Sequence, residues 1–299
     1  MEREDCTKFD FLCEKRLNQT DKLLYQYFRN SIFALECLLS DYKNVFPFFT
    51  DHTFEHSEQV IRYCNIIAGE EIISALNADE LYILLMGASL HDVGMGISEK
   101  DFRSFISEVP ALSAYIEENP GFSVAEYTRA FHQELSACFI RKYGALFEIP
   151  SPEHLFAICA LAHGHRKADL LNETEFPTDV LLPNGNRANL AYLAALVRLA
   201  DEIDVTSDRN LLFDYSQINE NWSKKQKLCF QCHGAIKTLE VYNEALVLLY
   251  ATDDAVVEQE IFRIRGKVER SFAIYRDVTE HRTPFYNRIK AVQFEKIVP

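Results

Sequence analysis

The sequence lacks any long hydrophobic run. Among its 299 residues, the longest apolar stretches are IFALECLL at residues 32–39 and LYILLMGASL at residues 81–90. Both are far shorter than the ~20 residues that a membrane-spanning helix needs. The chain also opens on a charged segment, EREDCTKFD, where a secretory signal would carry an apolar core. We therefore expect a soluble, cytoplasmic protein that does not enter a membrane.

Clustered cysteines are also scarce. The eight cysteines are spread along the chain, and Cys64 and Cys138 lie in apolar helical segments where a reduced thiol packs as a small hydrophobe. This spread favours a reducing compartment. The one close pair, Cys229 and Cys232 in CFQCH, matches a haem-attachment pattern. The segment alternates like a strand, on which residues three apart face opposite sides, so we interpret the pair as ordinary strand cysteines.

Basic residues are in deficit over most of the chain. The 45 acidic residues outnumber the 31 basic ones, for a formal net charge of −14. The excess of acid lies in residues 1–210, whereas residues 211–299 are close to neutral. A negative body repels a phosphate backbone and argues against binding of extended nucleic acid. A small phosphorylated ligand stays compatible, because a bound metal and a few local cations reverse the sign at a site.

Hydrophobic periodicity predicts a mainly α fold. Apolar residues recur at helical spacing in residues 21–44, 55–68, 124–147 and 187–204. Two further helices have start signals, a capping box at Asn77–Glu80 and an N-cap followed by proline at Ser151-Pro152. Two short helices are predicted at 99–108 and 111–118, and the PTD and PNGN segments are predicted as a polar loop.

The pattern changes after residue 210. The segments KLCFQCHGAI, KTLEVYN and EALVLLYA predict strands, and YNE predicts a hairpin turn. Residues 253–276 return to helical spacing, and residues 288–298 predict a final strand. We expect a helical bundle over residues 1–210 with a small α+β appendage over residues 211–299 packed on it.

The most informative feature is the pair His91-Asp92, which ends an apolar helix before a glycine-rich turn. Neighbouring residues on a helix point about 100° apart, so both can reach one ion only at a helix end. Gly94 and Gly96 would supply the backbone freedom for that turn. His56, His132 and Asp201 lie on helices whose other faces are apolar, where such groups are costly unless paired or coordinated. These residues predict a metal site between helices.

The order and context of these residues resemble the HD superfamily of metal-dependent phosphohydrolases. The segments EHSEQV, GASLHDVG and VRLADEID carry the resemblance, which covers residues 45–210. It implies an HD-type helical bundle and one divalent metal held by four residues, His56, His91, Asp92 and Asp201. Imidazole and carboxylate ligands suit Mn, Fe, Co, Ni or Zn, and Mg more weakly. It also implies hydrolysis of a phosphoester, with Asp92 as both ligand and partner of the attacking water.

Further histidines extend the predicted site. In binuclear relatives, histidines between the HD pair and the last aspartate bind a second metal, and His132, His163 and His165 stand at suitable places. The alternative is a one-metal site in which His132 contacts substrate phosphate or acts as a general acid. The sequence does not separate His163 from His165.

Basic residues near the predicted site are candidates for binding phosphate. Arg166, Arg198 and Lys100 are the expected substrate contacts, and Arg198 can share the helix face of Asp201. Many members of the superfamily have lysine after HDxG, where this chain has Met95. Lys100 or Arg103 would have to supply that charge, or the site lacks it. His52, Lys167 and Arg209 are weaker candidates.

The expected function is hydrolysis of a nucleotide or a nucleotide-derived messenger. The alternatives are a non-catalytic module that senses a nucleotide or mediates assembly, and a metal-dependent single-strand nuclease. The DVGMGI segment and the α+β tail are most similar to HD domains of bacterial conflict systems, some of which are fused to heat-shock-type ATPase domains. This similarity implies an antiviral defence or signalling role and an ATPase as fusion or partner. Homo-oligomerisation is a separate expectation.

Overall fold

The computed structural model describes residues 5–39, 54–167, 169–207 and 223–298, without the side chains of residues 225 and 226. The α-helices in these ranges are α1 (Leu12–Thr20), α2 (Lys22–Leu39), α3 (Phe54–Ala75), α4 (Ala78–Leu90), α5 (Glu99–Phe105), α6 (Pro110–Glu118), α7 (Val124–Ala130), α8 (His132–Tyr143), α9 (Pro152–Gly164), α10 (Leu190–Ile203), α11 (Lys224–Ala235) and α12 (Ala255–Arg282). The strands are β1 (Val180–Leu181), β2 (Arg187–Ala188), β3 (Ile236–Tyr242), β4 (Ala245–Tyr250) and β5 (Ala291–Lys296). Short 3-10 turns lie at Cys6–Phe9, Val93–Gly96, Ile106–Glu108 and Gly144–Phe147.

Helix α4 is the centre of the bundle. Its side chains from Leu81 to Leu90 are buried on every side, by α1, α2, α3, α9 and α10. A helix that is apolar all round must be enclosed in this way. Its start is the predicted capping box, in which the Asn77 side chain and the Glu80 side chain each accept the other's backbone N–H. This box sets the position of the helix end that carries His91 and Asp92.

The predicted tail is confirmed in its main features. Strands β3 and β4 form a hairpin whose turn residues, Asn243 and Glu244, have φ of 46° and 60°. Positive φ at both central residues is the geometry that hairpin strands favour. Strand β5 pairs in parallel with β4, and the intervening helix α12 packs along α10. The appendage helix therefore lies beside the helix that carries Asp201. The predicted boundary at residues 210/211 falls outside the described residues.

Three local predictions were wrong. The segment KLCFQCHGAI was predicted as a strand, but helix α11 runs to Ala235, so Cys229 and Cys232 share a helix side and Cys232 is buried. Residues 124–147 form two helices and a 3-10 turn, because the backbone leaves the helical conformation at Phe131 (φ −126°, ψ 21°). The loop with PTD and PNGN contains the paired strands β1 and β2. Helix α1 was not predicted at all.

Two findings bear on the remaining predictions. Among the described residues, no single helix is long and apolar enough to cross a membrane, although the pair Ala78–Gly96 and Glu99–Glu108, bent by 103°, meets that test jointly by length and composition. Residues 40–44 of the first predicted helix lie outside the described residues, and α2 ends at Leu39.

A buried polar cluster ties the β1–β2 hairpin to the bundle. Asp79 accepts hydrogen bonds from His154 at 2.8 Å and from Asn184 and Asn186 at 2.6 Å each. Burial alone would raise the pKa of Asp79, but these three hydrogen bonds outweigh it and hold the pKa below its usual value. The ionised carboxylate therefore stabilises the fold.

Replacing Asp79 by alanine should lower the free energy of unfolding by about 3 kcal/mol at neutral pH, because the buried His154 and the more exposed Asn184 and Asn186 lose a charged acceptor. The wild-type contribution is present above the ordinary carboxyl pKa of about 3.9 and is lost as the pH falls through the lower folded-state pKa. Urea unfolding of wild type and Asp79→Ala from pH 7 downward would measure this. A gap between them that does not narrow on acidification would contradict the assignment. The exposed Asp253→Ala serves as control.

Candidate metal centre

Six side chains from five segments converge in the bundle. His56 lies in the first turn of α3, His91 and Asp92 follow α4, His132 begins α8, His165 follows α9, and Asp201 lies in the last turn of α10. None of the six has more than 9 % relative exposure. Every contributing position is at or near a helix end, where the chain can turn a polar side chain inward.

The first group surrounds the two histidines His56 and His91. Their Nε2 atoms lie 3.2 Å apart. The Oδ1 of Asp201 is 3.4 Å from Nε2 of His56 and 3.7 Å from Nε2 of His91. The Oδ2 of Asp92 is 3.6 Å and 3.4 Å from the same two atoms. The four residues predicted as ligands are therefore brought together.

The second group uses the other oxygen of Asp92. Its Oδ1 lies 3.4 Å from Nε2 of His132 and 3.8 Å from Nε2 of His165. These two Nε2 atoms are 3.3 Å apart. Both trios, His56–His91–Asp92 and Asp92–His132–His165, have ligand atoms close enough to hold one ion each. Asp92 is thus shared by two potential metal sites.

The turn after His91 depends on glycine for space. Asp92 leaves the helix at φ −106° and ψ 7°, so two consecutive side chains reach the same centre. The Gly94 N–H then donates to the Ser136 hydroxyl at 2.8 Å. A Cβ at Gly94 would lie 2.4 Å from the His132 carbonyl oxygen, closer than any side chain allows. Gly94 is needed for this close approach to α8 and not, as predicted, for backbone freedom, because its φ is not positive.

Each histidine is oriented by its second ring nitrogen. The Nδ1–H groups of His91, His132 and His165 donate to the carbonyl oxygen three residues earlier, at 2.6–2.8 Å. His56 instead donates from Nδ1 to the Asp204 carboxylate at 2.6 Å. A histidine that donates from Nδ1 presents its Nε2 lone pair, the usual arrangement of a metal ligand. Facing lone pairs 3.2 and 3.3 Å apart need a cation between them, so the donor set fits divalent metal.

The histidines and aspartates of the first group shift one another's pKa values. Burial alone would lower the pKa of His91, but Asp92 and Asp201 outweigh it and raise that pKa to about 10. Burial would likewise raise the pKa of Asp201, yet Arg166 and the two histidines hold it well below its usual range. A proton therefore takes the place of a cation in the metal-free centre.

The second group has the opposite tendency. Burial lowers the pKa of His132, and burial together with nearby His91 and Arg166 lowers the pKa of His165 well below its usual value. Both imidazoles are neutral at pH 7. Neutral imidazole is the form that binds metal and accepts protons, whereas a general acid must start protonated.

The structure separates the remaining candidates. His165 lies in the centre, whereas His163 is part-exposed and pairs with Glu134 at 3.8 Å. Arg166 contacts Asp201 at 3.2 Å with its side chain 35 % exposed. Arg198 donates to the carbonyl oxygens of His165 and Lys167, which positions the turn that carries His165. Substrate contact by Arg198 stays a prediction.

The other predicted cations are less well placed. Lys100 and Arg103 are exposed on α5, and in the part of the chain that the structure describes no hydrogen bond or ion pair joins either to the centre. Met95 is buried, so the lysine of the superfamily pattern has no counterpart at that position. His52 and Arg209 lie outside the described residues.

Asp204 is the site residue that sequence reasoning missed. It is the hydrogen-bond acceptor that orients His56. Both side chains are about 1 % exposed. The available signal was its spacing, three residues after Asp201 at the end of an otherwise apolar helix.

Comparison with protein families finds one match. The family model described as HD-CE matches residues 46–274, which include every residue of the centre and reach into α12. No curated protein and no solved structure matches the chain. The family match thus extends beyond the helical bundle and covers most of the appendage.

Proposed function

Because the chain belongs to the HD-CE family, within the HD-domain superfamily, we propose that its buried centre binds two divalent metal ions and hydrolyses a phosphoester or phosphoanhydride of a nucleotide or nucleotide-derived messenger. The observation that carries the proposal is the shared carboxylate of Asp92. Its two oxygens face two separate pairs of Nε2 atoms, and each pair is held in the ligand tautomer by its own Nδ1–H bonds.

The chain's own residues have distinct roles in such a reaction. Bound metal would supply a Lewis acid for phosphoryl oxygens and lower the pKa of water in the site. Asp92 lies between both groups, and we assign to it the acceptance of the proton from the attacking water. Arg166 is part-exposed beside Asp201 and presents a guanidinium, which pairs with phosphate oxygens in a fixed geometry.

His132 supports the two-metal form over the one-metal form. In a one-metal site it would contact substrate phosphate or serve as the general acid, and the second of these roles requires the protonated ring. Burial lowers its pKa, so the neutral ring is the form present. Its Nδ1–H bond to the Arg129 carbonyl leaves Nε2 directed at Asp92 and His165. We therefore assign His132 to the second metal.

The broader biological role is also a proposal. The DVGMGI segment and the strand–strand–helix–strand tail support a cytoplasmic defence function of the kind found in bacterial conflict systems. A heat-shock-type ATPase, fused or separate, is the partner that this resemblance suggests, and we expect self-association to accompany it.

The test combines metal analysis with turnover. Purified wild-type protein, loaded with Mn²⁺ and desalted, should retain metal and release phosphate from at least one member of a nucleotide panel. His91→Ala should reduce phosphate release by about 10²–10³-fold, because it removes a ligand from the electrostatic centre. His281→Ala, an exposed histidine on α12, should leave both unchanged. Absence of bound metal in the wild type would overturn the proposal and favour a nucleotide-binding or assembly module.

A further inference from the structure

A basic stripe runs along α12. Arg263, Lys267 and Arg270 occupy positions i, i+4 and i+7, which place them on one side of the helix. Arg263 and Arg270 are exposed, and Lys267 is half-buried. On a chain whose first 210 residues carry most of the negative charge, this is a local concentration of the opposite sign.

The stripe is connected to the metal centre through a chain of contacts. Arg166 bridges Asp201 at 3.2 Å and Glu202 at 3.5 Å. The hydroxyl of Ser271, on α12, lies 3.5 Å from the same Glu202 carboxylate. Lys267 precedes Ser271 by one helical turn, and its charge interacts with those of Glu202 and Arg166. Helix α12 therefore carries Lys267 to the edge of the centre.

The acids near the stripe are already engaged. Glu202 is paired with Arg166, and Glu260 is paired with Arg263. Over residues 5–39, 54–167, 169–207 and 223–298, no hydrogen bond or ion pair is made by Lys267 or Arg270. Burial is the main cause that lowers the pKa of Lys267; Glu202 and Glu260 oppose it, and Arg263 and Arg166 act in the same direction as burial. A half-buried ammonium among other cations is costly unless an anion offsets it.

We propose that Lys267 and Arg270 of the stripe bind the outer phosphates of a linear polyphosphate chain, so that the ligand is a nucleoside di- or triphosphate. As far as hydrolysis is concerned, this inference rests on the proposed function, because it places one phosphoryl group at the metal centre beside Arg166. A monophosphate bound at the metal centre would leave the positive charges of Lys267 and Arg270 without an anion. The acidic body repels a long nucleic acid along its length, whereas a short polyphosphate contacts only the basic stripe and the metal centre.

The test uses the full chain, stripped of metal, and two inorganic probes. Isothermal titration should show that tripolyphosphate binds wild type about tenfold or more tightly than orthophosphate. Lys267→Met should weaken tripolyphosphate binding about tenfold, the scale of one charge-assisted hydrogen bond. Orthophosphate binding should change by less than about twofold. Lys267→Arg should restore most of the affinity. Arg265→Met removes an exposed cation of the same helix that is paired with Glu269, and it should have no effect.

Two results would overturn the inference: equal affinity of wild type for the two probes, or unchanged tripolyphosphate binding in Lys267→Met. Circular dichroism establishes that each variant is folded, and Arg270→Met, at an exposed position, provides a second variant should Lys267→Met fail to fold. These outcomes are independent of the proposed function. If Lys267 is needed for tripolyphosphate binding but the protein binds no metal, the anion site is supported and the hydrolase proposal is contradicted. If the protein binds metal but Lys267→Met does not change tripolyphosphate binding, the hydrolase proposal stands and the anion site is contradicted.

Discussion

Asp92→Ala is expected to lose nearly all phosphate release and to leave the protein without bound metal. Its two carboxylate oxygens face two different pairs of histidine nitrogens, so its removal takes a ligand from both proposed sites at once. His165→Ala removes a ligand from the second pair alone, and it should lower the metal content from two ions per chain to one. Metal analysis after desalting measures both numbers. Turnover should fall by about 10²–10³-fold in Asp92→Ala.

His163→Ala is the matched control for this experiment. It lies two residues before His165, is of the same chemical type, and contacts Glu134 instead of the centre. It should keep two ions and nearly full turnover. A wild type with one ion per chain, unchanged in His165→Ala, would refute the two-metal assignment and restore the one-metal alternative with His132 as a substrate contact. An effect of His163→Ala as large as that of His165→Ala would contradict the geometry of the centre.

The sequence alone did not distinguish His163 from His165 as a site residue. The start of α9 was predicted from Ser151 and Pro152, and the helix begins there. It ends at Gly164, within the segment AHGHRK, and a glycine in that segment indicates a helix end without giving the exact residue. His163 therefore keeps the helical direction, whereas His165 follows the backbone past the helix end and turns inward. The two histidines have the same chemistry, and only the position of the helix end in the folded bundle distinguishes them.

The four residues predicted as ligands lie together, and the sequence contains a local reason for the position of His91 and Asp92. The capping box at Asn77 sets the start of α4, and the apolar run behind it determines which end is polar. His91 and Asp92 then fall at that end. The close approach of Gly94 to α8 could not be inferred in the same way, since it joins segments that are 42 residues apart through the Ser136 hydroxyl.

In the tail, the hairpin turn was predicted correctly and one helix was not. The hairpin turn at Asn243 and Glu244 was predicted correctly, because asparagine between two apolar segments favours a turn with positive φ. Helix α11 was predicted as a strand, because a short apolar segment has no decisive period. Its packing against α12 favours the helix over the strand, and the residues in that contact lie far apart in the sequence.

Asp204→Asn is expected to weaken binding of the first metal about 10–100-fold, the usual effect of losing a carboxylate behind a metal-bound histidine. Of the four histidines in the centre, only His56 donates its Nδ1–H to a carboxylate, and the other three donate to backbone carbonyls. The negative charge of Asp204 makes the opposite nitrogen of His56 a stronger donor to a cation. The first site should therefore bind metal more tightly than the second in the wild type.

This asymmetry makes the experiment specific. Titration of the metal-free wild type with Mn²⁺ against a chelating dye should give a tight and a weak phase, and Asp204→Asn should shift the tight phase alone. Asp277→Asn, an exposed carboxylate that also contacts a histidine, should shift neither. Equal loss in both phases would point to a general disturbance of the fold. An unchanged tight phase in a folded Asp204→Asn protein would show that Asp204 only holds the His56 ring in place, because asparagine retains an acceptor oxygen but not the charge.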